Sequence, residues 1–162
     1  MNAITCRTLQ ADDADTVYAI AAEAWRFTYE GIFTPAFIDQ FVQTNYAPEQ
    51  LRRAAARAAS GDTHFEVALD EDQLIGLCQL GITAQGAKLF RIYLRPHYIG
   101  QGVGRMLLQR AEAFVRNHGL CSYGCFVHHK NERGKQFYLR NGFHHQSERD
   151  DDDEWYMEKH FV

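Results

Sequence analysis

The hydrophobic and polar positions of the N-terminal third predict one β-strand followed by three helices. Residues 4–9 are expected to form the first strand, and a group of aspartates then opens a helix, where acidic side chains suit the positive end of the helix dipole. Gly31 is expected to end this helix. Because proline is favoured in the first turn of a helix, the next two helices should begin at Thr34-Pro35 and at Pro48.

The pattern changes to strands after this helical part. Two apolar runs, 64–69 and 73–82, flank an acidic turn and predict a hairpin. The remaining elements are a strand, an amphipathic helix, a strand, a short helix and two strands, at 89–94, 102–118, 123–127, 131–140, 143–146 and 155–161. A strand-helix-strand succession favours a parallel pair. The predicted fold class is α/β (mixed α+β), a mixed and mostly antiparallel sheet with helices on both faces, in a single domain over residues 1–162.

Composition and charge narrow the class of protein. The chain is 46% hydrophobic and carries a net charge of −4, which favours a globular domain and weighs against nucleic-acid binding. Four cysteines are too few for a secreted disulfide framework, so we expect buried thiols. The N-terminus lacks the pattern of a signal peptide, and no apolar run approaches the roughly 20 residues of a membrane helix. We therefore expect a cytoplasmic protein without membrane contact.

A glycine-rich segment is the strongest candidate for ligand binding. A strand ends before Pro96, three alternating glycines follow, and a helix then begins; the glycines are Gly100, Gly102 and Gly104. Glycines allow close approach of a ligand, and the free N–H groups of a helix N-terminus suit a pyrophosphate. The residue three positions after Gly102 is Arg105, so the dinucleotide pattern G-x-G-x-x-G does not match, and neither does a P-loop.

This segment resembles the coenzyme-binding motif of the GCN5-related N-acetyltransferases (GNAT), [Arg/Gln]-x-x-Gly-x-[Gly/Ala]. Gly102 and Gly104 fill the glycine positions, and Ile99 stands where Arg or Gln is usual. A second segment, 131–143, resembles the family block that starts with asparagine and contains an aromatic pair followed by Gly-Phe. The similarity covers most of the chain and is greatest to the PaiA-like branch, which is associated with polyamine acetylation.

The resemblance implies an acyl-CoA N-acyltransferase fold, acetyl-CoA as co-substrate, no metal, and direct transfer of the acetyl group to an amine. Tyr138 occupies the general-acid position, and Trp25 and Tyr29 would wall the acceptor site. The coenzyme would be bound by backbone or side chains of Ile92, Tyr93, Leu94, Gly100, Gln101, Gly102, Val103, Gly104, Arg105, Asn131 and Lys135.

Several alternatives stay open at this point. The general base could be His128, His129, Glu66 or a chain of waters. The acceptor could be a polyamine such as spermidine, attracted by the acidic run 150–153, or an amine of a protein, peptide or antibiotic. A non-catalytic acyl-CoA-binding regulator is the rival from another class. A homodimer is compatible with the resemblance.

Overall fold

The computed structural model describes residues 3–161, which contain a seven-stranded sheet of strand order β1-β2-β3-β4-β5-β7-β6. The strands are β1 Ile4–Thr8, β2 Thr63–Asp70, β3 Gln73–Thr83, β4 Gly86–Leu94, β5 Ser122–His128, β6 His144–His145 and β7 Glu154–His160. The helices are α1 Ala14–Tyr29, α2 Pro35–Asn45, α3 Pro48–Ala59, α4 Val103–Asn117 and α5 Glu132–Arg140. Three 3₁₀ turns cover Ala11–Asp13, Pro96–Tyr98 and Ser147–Arg149.

Local capping explains where the helices begin and end. The Thr34 hydroxyl accepts a hydrogen bond from the Phe37 N–H at 3.1 Å, directly before the proline that starts α2. The Asn131 side chain caps α5 by accepting from the Gly134 N–H at 2.9 Å. Gly31 follows α1 with a φ of 81°, a conformation that favours glycine. These starts and stops confirm the sequence prediction.

The sheet is mixed because β4 and β5 run parallel while the other strand pairs are antiparallel. The parallel pair is short, with Ala87 opposite Tyr123 and Lys88 opposite Gly124. Beyond these residues the two strands diverge and leave a cleft. The predicted fold class, with its one parallel pair, is therefore confirmed.

Helices pack on both faces of this sheet. On one face α4 contributes Leu107, Leu108 and Val115 to the larger core, together with buried residues of the strands. On the other face α1 and α3 pack Val17 and Leu51 over β2 and β3. These two cores hold β4 and β5 from opposite sides, so the cleft between them has fixed walls. Among the helices of residues 3–161, none has the length and hydrophobicity needed to cross a bilayer.

Candidate active site

The divergence of β4 and β5 creates a cavity of about 190 Å³. Side chains from α1, β4, β5 and α5 line it, among them Tyr29, Phe90, Ile92, Phe126, Asn131 and Tyr138. The pairing of β3 with β4 shifts register between Gln79 and Leu80, which places Phe90 as an extra residue on β4. The bulge and the divergence together leave the β4 edge facing the cavity rather than another strand.

The glycine-rich segment forms a turn that exposes backbone N–H groups beside this cavity. Gly100 and Gly102 have φ values of 83° and 85°, in the left-handed region, and a Cβ at either position would meet no atom within 4 Å. Gly104 has a different role, since a Cβ at this position would make a tight contact of 3.0 Å with the Phe137 ring of α5. The first two glycines therefore set the direction of the chain, and the third allows α4 and α5 to approach closely.

The turn fits an anionic group. Within residues 3–161, the backbone N–H groups of residues 100–105 donate to no protein acceptor, and α4 begins at Val103 with its positive dipole end at this turn. Arg105 is exposed and makes no ion pair in the same described range. Free donors, a helix dipole and a cation at one place are suited to a pyrophosphate.

Tyr138 is a protonated phenol at the inner wall of the cavity. Its side chain is 9% exposed and packs against Phe137 and Phe143, with ring centroids 5.4 and 5.1 Å away. Burial, followed by the neighbouring Cys125 thiol, raises the pKa of Tyr138 well above its ordinary value. The hydroxyl therefore keeps its proton at neutral pH, and it is hydrogen-bonded to the Cys125 sulfur.

The two α5 residues assigned to the coenzyme lie in different surroundings. Asn131 lines the cavity and interacts with the Tyr29 side chain. Lys135 is 7% exposed, donates to the His129 carbonyl at 2.7 Å, and lies 4.0 Å from the centroid of the Trp155 ring. An ammonium already bonded on the β7 side of α5 is not free to bind phosphate. We therefore remove Lys135 from the proposed coenzyme residues.

The two predicted acceptor-site residues also differ in position. Tyr29 lines the cavity, and burial raises the pKa of its hydroxyl to about 12. Trp25 is buried behind it, where its ring contacts the tilted ring of Tyr29 at 4.3 Å between centroids and Nε1 donates to the Tyr93 hydroxyl at 3.1 Å. Trp25 is outside the cavity lining, so its part is to support Tyr29 from behind.

Two of the candidate general bases lose their availability in the structure. Arg110 binds both carboxylate oxygens of Glu66, with its Nη2 at 2.8 Å from one of them, and holds Glu66 against α4. His128 accepts the Lys130 N–H at its Nδ1, so the neutral ring carries its proton on Nε2 and presents a donor. His129 is exposed. His129 and an ordered water chain are therefore the candidates that these contacts leave unaffected.

Substitution of Glu66 tests this exclusion. We expect Glu66→Gln to leave kcat within about twofold, while the lost charge-assisted hydrogen bonds lower the free energy of unfolding by about 1–2 kcal/mol. Steady-state kinetics and urea unfolding measure the two effects separately. A tenfold fall in kcat without loss of stability would return Glu66 to the list of general bases.

The acidic run that follows α5 is only partly available to a ligand. Asp150 accepts from the Tyr156 N–H at 2.7 Å and contacts the His145 ring nitrogen at 2.9 Å. Asp151 accepts the Glu154 N–H at 2.9 Å and so caps the turn before β7. The prediction that the entire run attracts a cation is therefore wrong for these two carboxylates, which bind the protein. Asp152 and Asp153 are exposed.

Three side chains with atoms suited to binding a cation lie close together at the end of β5. The ligand atoms of His128, His129 and Asp153 lie within 4.8 Å of one another, and the His129 N–H donates to the Asp153 carbonyl at 2.9 Å. The two cysteines of this part of the chain are not members of the group: Cys125 is buried in the core, and Cys121 is exposed. That the reaction needs no metal stays a prediction.

The chain belongs to the GNAT family of acetyltransferases. Residues 61–145 match the family model described as an acetyltransferase (GNAT) domain. The protein is accordingly an acetyl-CoA-dependent N-acetyltransferase, as the two sequence motifs predicted.

Relatives define its place within the family. A spermidine N(1)-acetyltransferase of Thermoplasma acidophilum is 34% identical over 159 residues, which are 98% of each chain. The crystal structure of the PaiA N-acetyltransferase of that organism in complex with coenzyme A superposes with a TM-score of 0.94 at 33% identity, covering 98% of this chain and 99% of that one. The ribosomal-protein-S18-alanine N-acetyltransferase of Escherichia coli shares the fold, with a TM-score of 0.68 at 17% identity over 99% of this chain and 95% of its own.

Proposed function

We propose that this enzyme acetylates a primary amine of a polyamine such as spermidine. The observation that carries the proposal is the composition of the cleft beside Tyr138, where the aromatic rings of Tyr29, Phe90 and Phe126 line the cavity. The half-buried carboxylate of Glu154, at the start of β7, interacts electrostatically with Tyr29. Aromatic faces and carboxylates are the groups that bind ammonium ions. The Thermoplasma relative, a spermidine N(1)-acetyltransferase, supports the same acceptor class.

Three parts of the chain are proposed to bind the coenzyme. The N–H groups of residues 100–105, with Arg105, would hold the pyrophosphate. The backbone of Ile92, Tyr93 and Leu94, on the strand edge that diverges from β5, would pair with the pantetheine arm, and Asn131 would bond it from α5. Acetyl-CoA supplies the acetyl group as a thioester, which is reactive toward an amine.

Tyr138 is proposed as the general acid of the transfer. The acceptor nitrogen attacks the acetyl carbon directly, so the carbon–nitrogen bond forms and the carbon–sulfur bond breaks without acetylation of the protein. Tyr138 gives its proton to the departing sulfur, and the proton released from the amine nitrogen passes through water and restores the phenol. Its raised pKa ensures that the proton is present at neutral pH.

A thiol-release assay with acetyl-CoA and a panel of amines tests the acceptor. The panel contains spermidine, an alanine-terminated peptide, an aminoglycoside and free amino acids. We expect kcat/KM for spermidine to exceed the others at least tenfold. Turnover confined to the peptide or the aminoglycoside would show that this amine, and not a polyamine, is the acceptor. Binding of acetyl-CoA without turnover of any amine would favour a regulatory protein.

A further inference from the structure

The acceptor side of the cleft has a floor built by β4, β5 and β7. Lys88 lies opposite Gly124, Phe126 is two residues further along β5, and Glu154 lies opposite His128 on β7. Alternate residues of a strand point to the same face of the sheet, and so do directly paired residues. The charged side chains of Lys88 and Glu154 therefore flank the Phe126 ring on one face.

The Lys88 ammonium lies where an ammonium ligand would bind. Its Nζ is 5.0 Å from the centroid of the Phe126 ring and 5.6 Å from that of the Phe90 ring. Both rings line the cavity beside Tyr138. Within residues 3–161, this ammonium has no hydrogen-bond acceptor and no carboxylate at ion-pair distance. The two ring faces and the more distant Glu154 carboxylate attract it, and its flexible side chain allows it to move away.

Glu154 provides the opposite charge and is equally unpaired. Its half-buried carboxylate accepts no hydrogen bond from any group in residues 3–161, although its backbone is fixed by the turn at Asp151. Burial raises the pKa of Glu154, the Asp151 carboxylate adds to the rise, and the Lys88 ammonium opposes it. Glu154 also interacts electrostatically with Tyr29 on the cavity wall. An unpaired, partly desolvated carboxylate gains free energy when a cation approaches it.

We propose that Lys88 and Glu154 form a subsite for the second ammonium of the acceptor, in which Glu154 attracts that ammonium and Lys88 occupies its place until it binds. This inference rests on the proposed polyamine acceptor. It predicts that the two residues act in opposite directions. Removing the lysine charge removes a competitor of the second substrate ammonium, whereas removing the glutamate charge removes the attraction for that ammonium.

The comparison of a diamine with a monoamine isolates this subsite. The ratio of KM for 1,4-diaminobutane to KM for n-butylamine should fall about 3- to 10-fold in Lys88→Met and rise by a similar factor in Glu154→Gln, the range expected for one cation–aromatic or charge contact. Lys130→Met and Glu148→Gln remove the same charges from exposed positions, and their ratios should equal that of the wild type. Calorimetric titration of the diamine in the presence of coenzyme A gives the same comparison without turnover.

The outcomes separate the inference from the function on which it rests. If the wild type acetylates the diamine but both variants leave the ratio unchanged, or shift it in the same direction, the subsite is wrong and the polyamine acceptor stands. If the wild type acetylates no di- or polyamine, the proposed acceptor is wrong, and the proposed subsite is then wrong as well. Circular dichroism of each variant verifies folding before the ratios are compared.

Discussion

Replacement of Tyr138 with phenylalanine is expected to lower kcat about 10²- to 10³-fold, the usual contribution of a positioned general acid. The phenol ring packs against Phe137 and Phe143, and phenylalanine keeps these contacts. The dissociation constant for coenzyme A should therefore change less than threefold. Single-turnover kinetics with acetyl-CoA and spermidine, together with calorimetric titration of coenzyme A, measure both quantities.

Tyr123→Phe is the matched control, because Tyr123 is another buried tyrosine whose hydroxyl donates to Glu112 at 2.8 Å outside the cavity. It should lose stability, by about 1–2 kcal/mol, and keep kcat. Equal losses of kcat in the two variants would mean that removal of any buried hydroxyl lowers kcat, and Tyr138 would no longer be the general acid.

The pH dependence gives a second test of Tyr138. A phenol is an acid only below its pKa, and burial raises the pKa of Tyr138 well above 10. Loss of activity through its ionisation should therefore begin above pH 10. A wild-type kcat that falls between pH 8 and 10, with the fall absent in Tyr138→Phe, would contradict the deeply buried, protonated phenol.

Gly102→Val is expected to weaken coenzyme A binding about 10- to 100-fold. A β-branched residue is strongly disfavoured at a φ of 85°, so the turn must change and the N–H groups of residues 100–105 lose their common direction. A lost hydrogen bond to a charged phosphate costs about 1.5–3 kcal/mol, so the loss of a single bond accounts for this range. Calorimetric titration with coenzyme A measures the change directly.

The control for backbone strain is Gly61→Val. Gly61 has a φ of 83° and open space around it, and it follows α3 far from the cavity. Both substitutions should lower the free energy of unfolding by about 1–2 kcal/mol, the cost of a left-handed conformation. Only Gly102→Val should affect the coenzyme. Similar affinities of the two variants for coenzyme A would mean that the glycine turn does not bind the phosphates.

Local features of this enzyme were predictable from the sequence because they depend on neighbouring residues. The caps at Thr34 and Asn131 satisfy N–H groups three residues away, and Gly102 adopts its positive φ within one turn. The fold class followed from the period of the apolar positions and from the single strand-helix-strand succession. The two GNAT motifs are also local segments, and they were sufficient to indicate the family.

The direction and pairing of side chains were decided by the tertiary structure. Lys135 lies on the face of α5 that contacts Trp155, and Glu66 pairs with Arg110 from a helix 44 positions later. Glu154 was overlooked because it belongs to an acidic stretch with no distinguishing pattern.

The positions of these charged side chains relative to the cleft depend on strand order. β7 pairs with β5 across an intervening helix and strand, and this pairing places Glu154 opposite His128. Lys88 joins them only because β4 and β5 are parallel neighbours that diverge after two residue pairs. The sequence by itself therefore determined the elements, the glycine turn and the family. The tertiary structure decided which charges face the cleft, because contacts between distant segments depend on the register of the whole sheet.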